Sequence, residues 1–106
     1  MKFDTQLQNY IDSLGLEYPN YIIGTTANDV VLGISWLWGL PNTHKFYPAS
    51  IIHDFEYEKR MYDTSLIPDQ RFLRNCLKLA GKSTYYKMQA YAFYGIIRTW
   101  GWLSWK

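Results

Sequence analysis

Residues 48–72 read PASIIHDFEYEKRMYDTSLIPDQRF, and this stretch decides the fold of the chain. Pro48 and Pro68 each have the fixed φ and the missing N–H that suit the first turn of a helix. Apolar residues recur at helical spacing after each proline, and only a short link separates the two runs. We therefore predict an antiparallel helix pair, about 48–62 and 68–80.

The sequence on either side of this pair predicts further helices. Residues 3–14 carry apolar side chains at helical spacing, and Asn28 or Asp29 can cap a second helix. An aromatic C-terminal helix is expected over about 83–100. The fold class is therefore mainly α, a small single-domain helical bundle of four to five helices that spans residues 1–106.

Composition limits the class of protein. The chain has 106 residues, of which 48 % are hydrophobic and 19 % aromatic, so one domain can bury a core and disorder is excluded. Cys76 is the single cysteine, which excludes an intramolecular disulfide and a thiolate metal site. The amphipathic start does not resemble a signal peptide, and we expect a reducing compartment. Lys87 and Arg98 interrupt the apolar C-terminal part, so no transmembrane segment is expected.

Charge is distributed unevenly along the chain. The part up to Asp69 holds four basic and all nine acidic residues, a net charge of −5, whereas the remainder holds seven basic residues and no acidic one, +7. Such asymmetry indicates either a basic surface for phosphate groups or attraction between the two parts inside the fold, and we favour the second. Nucleic acid is not an expected partner, because no recognition-module signature accompanies the basic residues.

His53 is the first candidate for chemistry, because an imidazole accepts a proton near neutral pH. A general base of this kind needs a second group, commonly a carboxylate, to hold its tautomer, and Asp69 can fill that role if the two helices pack antiparallel. Tyr57, one turn after His53, can join the same network. Asp54 projects about 100° away from His53, so it cannot orient the ring but can bind a cation. Two alternatives stay open: a structural histidine, and an Asp69 that only complements its helix dipole.

The same residues carry a resemblance to a known family. HDFEY at 53–57 and DQRF at 69–72 resemble the HDxxY and DxxF motifs of phospholipase A2 domains, nearest to the compact parvoviral capsid type. The resemblance implies that the histidine activates a water that attacks a lipid ester. It also implies that the adjacent aspartate holds Ca²⁺, which polarises the carbonyl, and that the later aspartate orients the histidine. Carried over by position, these residues are His53, Asp54 and Asp69, with Tyr57 in support.

A second resemblance covers about two-thirds of the chain. From Trp36 to Trp105 the order of motifs is similar to a family of small phage-encoded proteins of unknown function, DUF1353. The shared order is an aromatic-Leu-Pro segment, the HDxxY and DxxF motifs, and a Tyr-rich helix closing on GWLSW at 101–105. This similarity implies a phage protein located in the virion or the host cytoplasm.

Two hypotheses about function follow. In the first, the chain is a viral phospholipase A2-like lipid ester hydrolase, dependent on Ca²⁺, whose basic aromatic end contacts anionic phospholipid at a membrane surface. In the second, it is a non-catalytic phage accessory or virion protein. The helix pair is then a scaffold, and the aromatic C-terminal surface binds a virion or host protein.

Overall fold

The computed structural model describes residues 2–27 and 44–104. In this part the chain forms four α-helices: α1 (Thr5–Ser13), α2 (Tyr47–Lys59), α3 (Leu66–Ala80) and α4 (Thr84–Ser104). A short 3₁₀ turn at Asn20–Ile22 and an isolated antiparallel bridge between Lys2 and Thr26 complete the N-terminal part. The mainly helical fold class is confirmed, whereas the helix predicted to begin at Asn28 or Asp29 lies outside the described residues.

The helix boundaries differ slightly from the predicted ones. α2 and α3 begin one and two residues before Pro48 and Pro68, so each proline still lies in a first turn, where its missing N–H breaks no helical hydrogen bond. α2 ends at Lys59 instead of near Tyr62, because Arg60 adopts a left-handed conformation with φ of 48°. Glycine or asparagine usually occupies that position, so the sequence gives no signal for this end.

Helices α2 and α3 run antiparallel, as predicted. Tyr57 of α2 contacts Asp69 in the first turn of α3, and His53, one turn earlier on α2, packs against Phe72, one turn later on α3. The turn at residues 81–83 then reverses the chain into α4, which packs along α3. Helices α2, α3 and α4 therefore surround the polar contact between Tyr57 and Asp69. Helix α2 lies in the middle of the fold.

Two apolar clusters cover opposite sides of α2. The first joins it to α1 and the 3₁₀ turn, with Phe3, Ile11, Ile22, Ile52 and Phe55 buried. The second lies between α2, α3 and α4, with Phe46, Ala49, Phe72, Cys76, Ala90 and Ile97 buried. The sequence pattern of α2, apolar on one side and His, Ser and Tyr on the other, predicts a helix covered on both sides. The structure confirms this, so polar groups of α2 are withdrawn from water.

Ion pairs connect the acidic and basic parts of the chain. Three ion pairs among the described residues each join an acid from the first two-thirds to an arginine from the last third: Glu17–Arg74, Glu56–Arg71 and Asp69–Arg98. The favoured interpretation of the charge asymmetry, attraction inside the fold, is confirmed for these three arginines.

Candidate functional site

The candidate site is a hydrogen bond between α2 and α3. The Nε2 atom of His53 lies 2.7 Å from the Oδ1 atom of Asp69. The two side chains are 1 % and 0 % exposed, respectively. Antiparallel packing produces this contact, because it sets the first turn of α3 against the middle of α2. The contact predicted from the sequence is therefore present, in a place closed to solvent.

Asp69 accepts two further hydrogen bonds. The hydroxyl of Tyr57 donates to Oδ1 at 2.8 Å, and Nη1 of Arg98, on α4, donates to Oδ2 at 3.0 Å. The same Arg98 nitrogen lies 3.1 Å from Oγ of Ser65, the residue that precedes α3. Asp69 does lie in the first turn of α3, where a negative charge suits the helix dipole. These side-chain hydrogen bonds nevertheless go to α2 and α4, so the carboxylate links three helices.

The hydrogen bond to Asp69 determines which imidazole nitrogen of His53 carries the proton. A carboxylate only accepts, so Nε2 must be the donor, and in the neutral ring Nδ1 then keeps its lone pair. Nδ1 is buried and has no hydrogen-bond partner among the described residues. Burial lowers the pKa of His53 below its ordinary value, although Asp69 opposes this shift. The lowered pKa favours the neutral ring, in which the basic nitrogen is directed away from the carboxylate.

Aromatic rings and one glycine enclose this network. The rings of Tyr57 and Phe72 lie 4.2 and 5.3 Å from that of His53, measured between ring centres. On α4, a Cβ atom at Gly101 would lie 2.6 Å from the hydroxyl oxygen of Tyr57 and 2.5 Å from Oγ of Ser65. Any other residue at Gly101 would collide with these hydroxyl groups. A glycine is therefore needed for α4 to approach the network this closely.

Sequence reasoning missed three residues of this arrangement: Ser65, Arg98 and Gly101. Arg98 was interpreted only as a charge that interrupts an apolar segment. A signal was present, because Arg98 is the single charged residue between Lys87 and Lys106. One charge in a long uncharged stretch predicts a specific partner, and the inward-facing carboxylate of Asp69 needed one.

A second buried carboxylate lies one turn further along α2. Oε2 of Glu56 accepts a hydrogen bond from Nη1 of Arg71 at 2.6 Å. Oε1 is buried with no hydrogen-bond partner in the described part of the chain. Burial outweighs the attraction of Arg71 and raises the pKa of Glu56 to about 7. Glu56 was not predicted as part of any site, and it titrates near neutral pH.

Asp54, the predicted metal ligand, is half-buried on α2 next to His53. No group of three His, Cys, Asp or Glu residues that could hold a metal ion occurs in the ranges 2–27 and 44–104. Ca²⁺ takes six to eight oxygen ligands. In this part of the chain, Asp54 is therefore not a member of such a group.

The chain matches no protein-family model, no curated protein and no solved structure. Across the described residues, no helix is long and apolar enough to cross a membrane. The geometry alone characterises the site: His53 and Asp69 form a buried hydrogen bond, and Tyr57 and Arg98 donate to the same carboxylate.

Proposed function

We propose that the chain is a viral phospholipase A2-like ester hydrolase in which His53 is the general base. One observation supports this most: Nε2 of His53 is hydrogen-bonded to Asp69, while Nδ1 has no hydrogen-bond partner among the described residues. A general base needs a neutral, oriented imidazole with one free nitrogen. The resemblance of HDFEY and DQRF to phospholipase A2 motifs supplies the reaction class.

The proposed reaction follows from these positions. Nδ1 of His53 removes a proton from water while the water oxygen forms a bond to the ester carbonyl carbon. Asp69 stabilises the imidazolium that results, and Tyr57 and Arg98 hold Asp69 in place through their hydrogen bonds. When the ester C–O bond breaks, the imidazolium returns its proton to the departing alkoxide. The products are a fatty acid and a lysophospholipid.

Burial adds a step before this chemistry. Because His53 is 1 % exposed, water and an ester carbonyl reach Nδ1 only after the surrounding residues move apart. The proposed reaction cycle therefore includes an opening of the structure, as in enzymes whose sites close over the substrate.

Calcium is proposed as the cofactor, with Asp54 as a ligand. When bound, Ca²⁺ would polarise the ester carbonyl. Because Asp54 belongs to no group of three His, Cys, Asp or Glu residues in the described part of the chain, further oxygen ligands would have to complete the site. The roles of His53 and Asp69 do not depend on the ion.

The direct experiment is hydrolysis of a fluorescent phospholipid, with millimolar Ca²⁺ or with chelator. Wild-type protein should release fatty acid, and H53Q should lose nearly all activity while retaining its helical circular dichroism. K2Q, an exposed substitution at the far end of the chain, serves as the control and should match wild type. Absence of hydrolysis by folded wild-type protein in Ca²⁺ would refute the proposal.

The second candidate function is a non-catalytic phage accessory or virion protein that binds a virion or host protein. Two observations favour it: the His–Asp pair is closed to solvent, and α4 exposes apolar side chains. In this case the network is only a polar core, and H53Q would lower stability without any activity to lose. Both candidates place the chain in the virion or the host cytoplasm.

A further inference from the structure

The outer side of α4 is apolar where solvent-facing helices usually carry charges. One side of this helix is buried through Ala90 and Ile97. The opposite side, which we name the α4 outer face, exposes large uncharged side chains along its length: Tyr85, Met88, Tyr91, Ile96 and Trp102. Trp102 is 77 % exposed. The described part of the chain leaves this face exposed.

Two lysines near this face have no ion-pair partner among the described residues. Lys82 and Lys87 are exposed in the turn before α4 and at the start of α4, respectively. No ion pair in the described ranges includes them, whereas the arginines of the same third are paired with acids. No acidic residue follows Asp69. The uncompensated charge beside the α4 outer face is therefore positive.

We infer that the α4 outer face rests on the surface of an anionic lipid bilayer. Tryptophan and tyrosine favour the boundary between hydrocarbon and headgroups, because each ring has an apolar body and a polar tip. Lysines beside such a stripe extend their charges toward lipid phosphates. With 21 residues, α4 is about 31 Å long and would lie along the surface. Charge complementarity selects anionic headgroups as the partner.

This inference rests on the proposed function in one respect, since a lipid ester hydrolase must meet its substrate at a bilayer. The binding itself requires no catalysis. It can therefore be measured with ether-linked lipids and chelator, which prevent hydrolysis. If the full chain binds such vesicles but hydrolyses no ester lipid, only the proposed function fails. If it hydrolyses dispersed ester lipid but does not bind vesicles, only this inference fails.

The experiment is co-sedimentation of the full chain with vesicles of phosphatidylglycerol and phosphatidylcholine, and with vesicles of phosphatidylcholine alone. We expect strong binding to the anionic vesicles, weakened by salt, and little to the neutral ones. K82Q and K87Q should each lower binding to anionic vesicles by about fivefold. W102S should lower binding to anionic vesicles more than either lysine variant does, because it removes from the bilayer the side chain with the largest apolar area.

Matched controls lie elsewhere on the molecule. Met61 and Met88 are 64 % and 69 % exposed, but only Met88 is on the α4 outer face. M88Q should weaken binding and M61Q should leave it unchanged. The inference is overturned if wild-type protein does not bind anionic vesicles, or if M88Q and W102S bind as well as M61Q. It is also overturned if these substitutions instead abolish self-association or binding to a protein partner while lipid binding persists.

Discussion

The imidazole of His53 and the carboxylate of Asp69 are hydrogen-bonded at 2.7 Å across the α2–α3 interface, in a region closed to water. A buried carboxylate keeps its charge at low cost only when donors satisfy its lone pairs. Asp69 meets this condition with donors from α2 and α4. The proposed activity and the stability of the fold therefore depend on the same atoms. Variants must distinguish a loss of activity from a loss of stability.

Replacing Asp69 should destabilise the fold strongly. In D69N, Arg98 loses its counter-charge while still half-buried, so we expect a loss of about 2–4 kcal/mol in the free energy of unfolding. E17Q is the matched control, because Glu17 also pairs with an arginine but both side chains are half exposed. It should cost less than about 1 kcal/mol. Urea unfolding of both variants measures the difference, and equal losses would contradict a network that links three helices.

Two glycines of α4 should respond oppositely to alanine. G101A places a Cβ 2.5–2.6 Å from hydroxyl oxygens of Ser65 and Tyr57, and we expect a loss of about 1–3 kcal/mol. In G95A the new Cβ meets nothing within 4 Å, so the higher helix propensity of alanine should add about 0.5–1 kcal/mol. Thermal unfolding distinguishes them. A stabilising G101A would show that α4 does not approach the network as described.

Glu56 should make stability depend on pH near neutrality. Its folded-state pKa of about 7 lies above the ordinary 4.5, so its contribution is complete below pH 4.5 and is lost as pH rises through 7. The lowered pKa of His53 acts in the opposite direction, since its contribution is lost as pH falls below 6.5. In E56Q the loss of stability between pH 4.5 and 7, roughly 3 kcal/mol at most, should disappear. The loss of stability that His53 causes at low pH should remain. Urea midpoints between about pH 5 and 8 test this, and an unchanged profile would contradict it.

Calcium should raise the melting temperature if Asp54 is a ligand. Binding to the folded state alone stabilises it by mass action, so the shift should grow with Ca²⁺ concentration. D54N should abolish the shift. D63N, which changes an exposed aspartate beyond the end of α2, should preserve it. A shift that survives in D54N would remove Asp54 from the proposed ligands, and no shift in wild type would remove calcium.

The sequence was sufficient for the helix pair because its signals are local. Pro48 and Pro68 mark two first turns, and the apolar spacing after each predicts the helix that follows. The pairing of His53 with Asp69 followed from antiparallel packing alone. The end of α2 was missed because Arg60 takes a conformation that sequence patterns reserve for glycine.

Other parts of the site depend on contacts between distant segments. Arg98 reaches Asp69 across 29 residues, and Gly101 is required only because Tyr57 and Ser65 happen to lie opposite it. Neither contact produces a repeating pattern in the sequence, so a single sequence does not predict it. The α4 outer face shows the same limit: the apolar pattern of the last helix predicted aromatic contact, but which side stays exposed depends on how α4 packs on α3.

The central claim is that His53 presents a neutral imidazole with Nε2 donating to Asp69 and Nδ1 unprotonated. Two-bond ¹H–¹⁵N correlation spectra of uniformly labelled protein at pH 7 measure this directly, and H53Q assigns the signals against those of His44. We predict the Nε2–H tautomer, retained to below the ordinary histidine pKa and lost in D69N. An Nδ1–H tautomer, or a charged imidazolium at pH 7, would contradict the account, because neither leaves a free nitrogen to accept a proton from water.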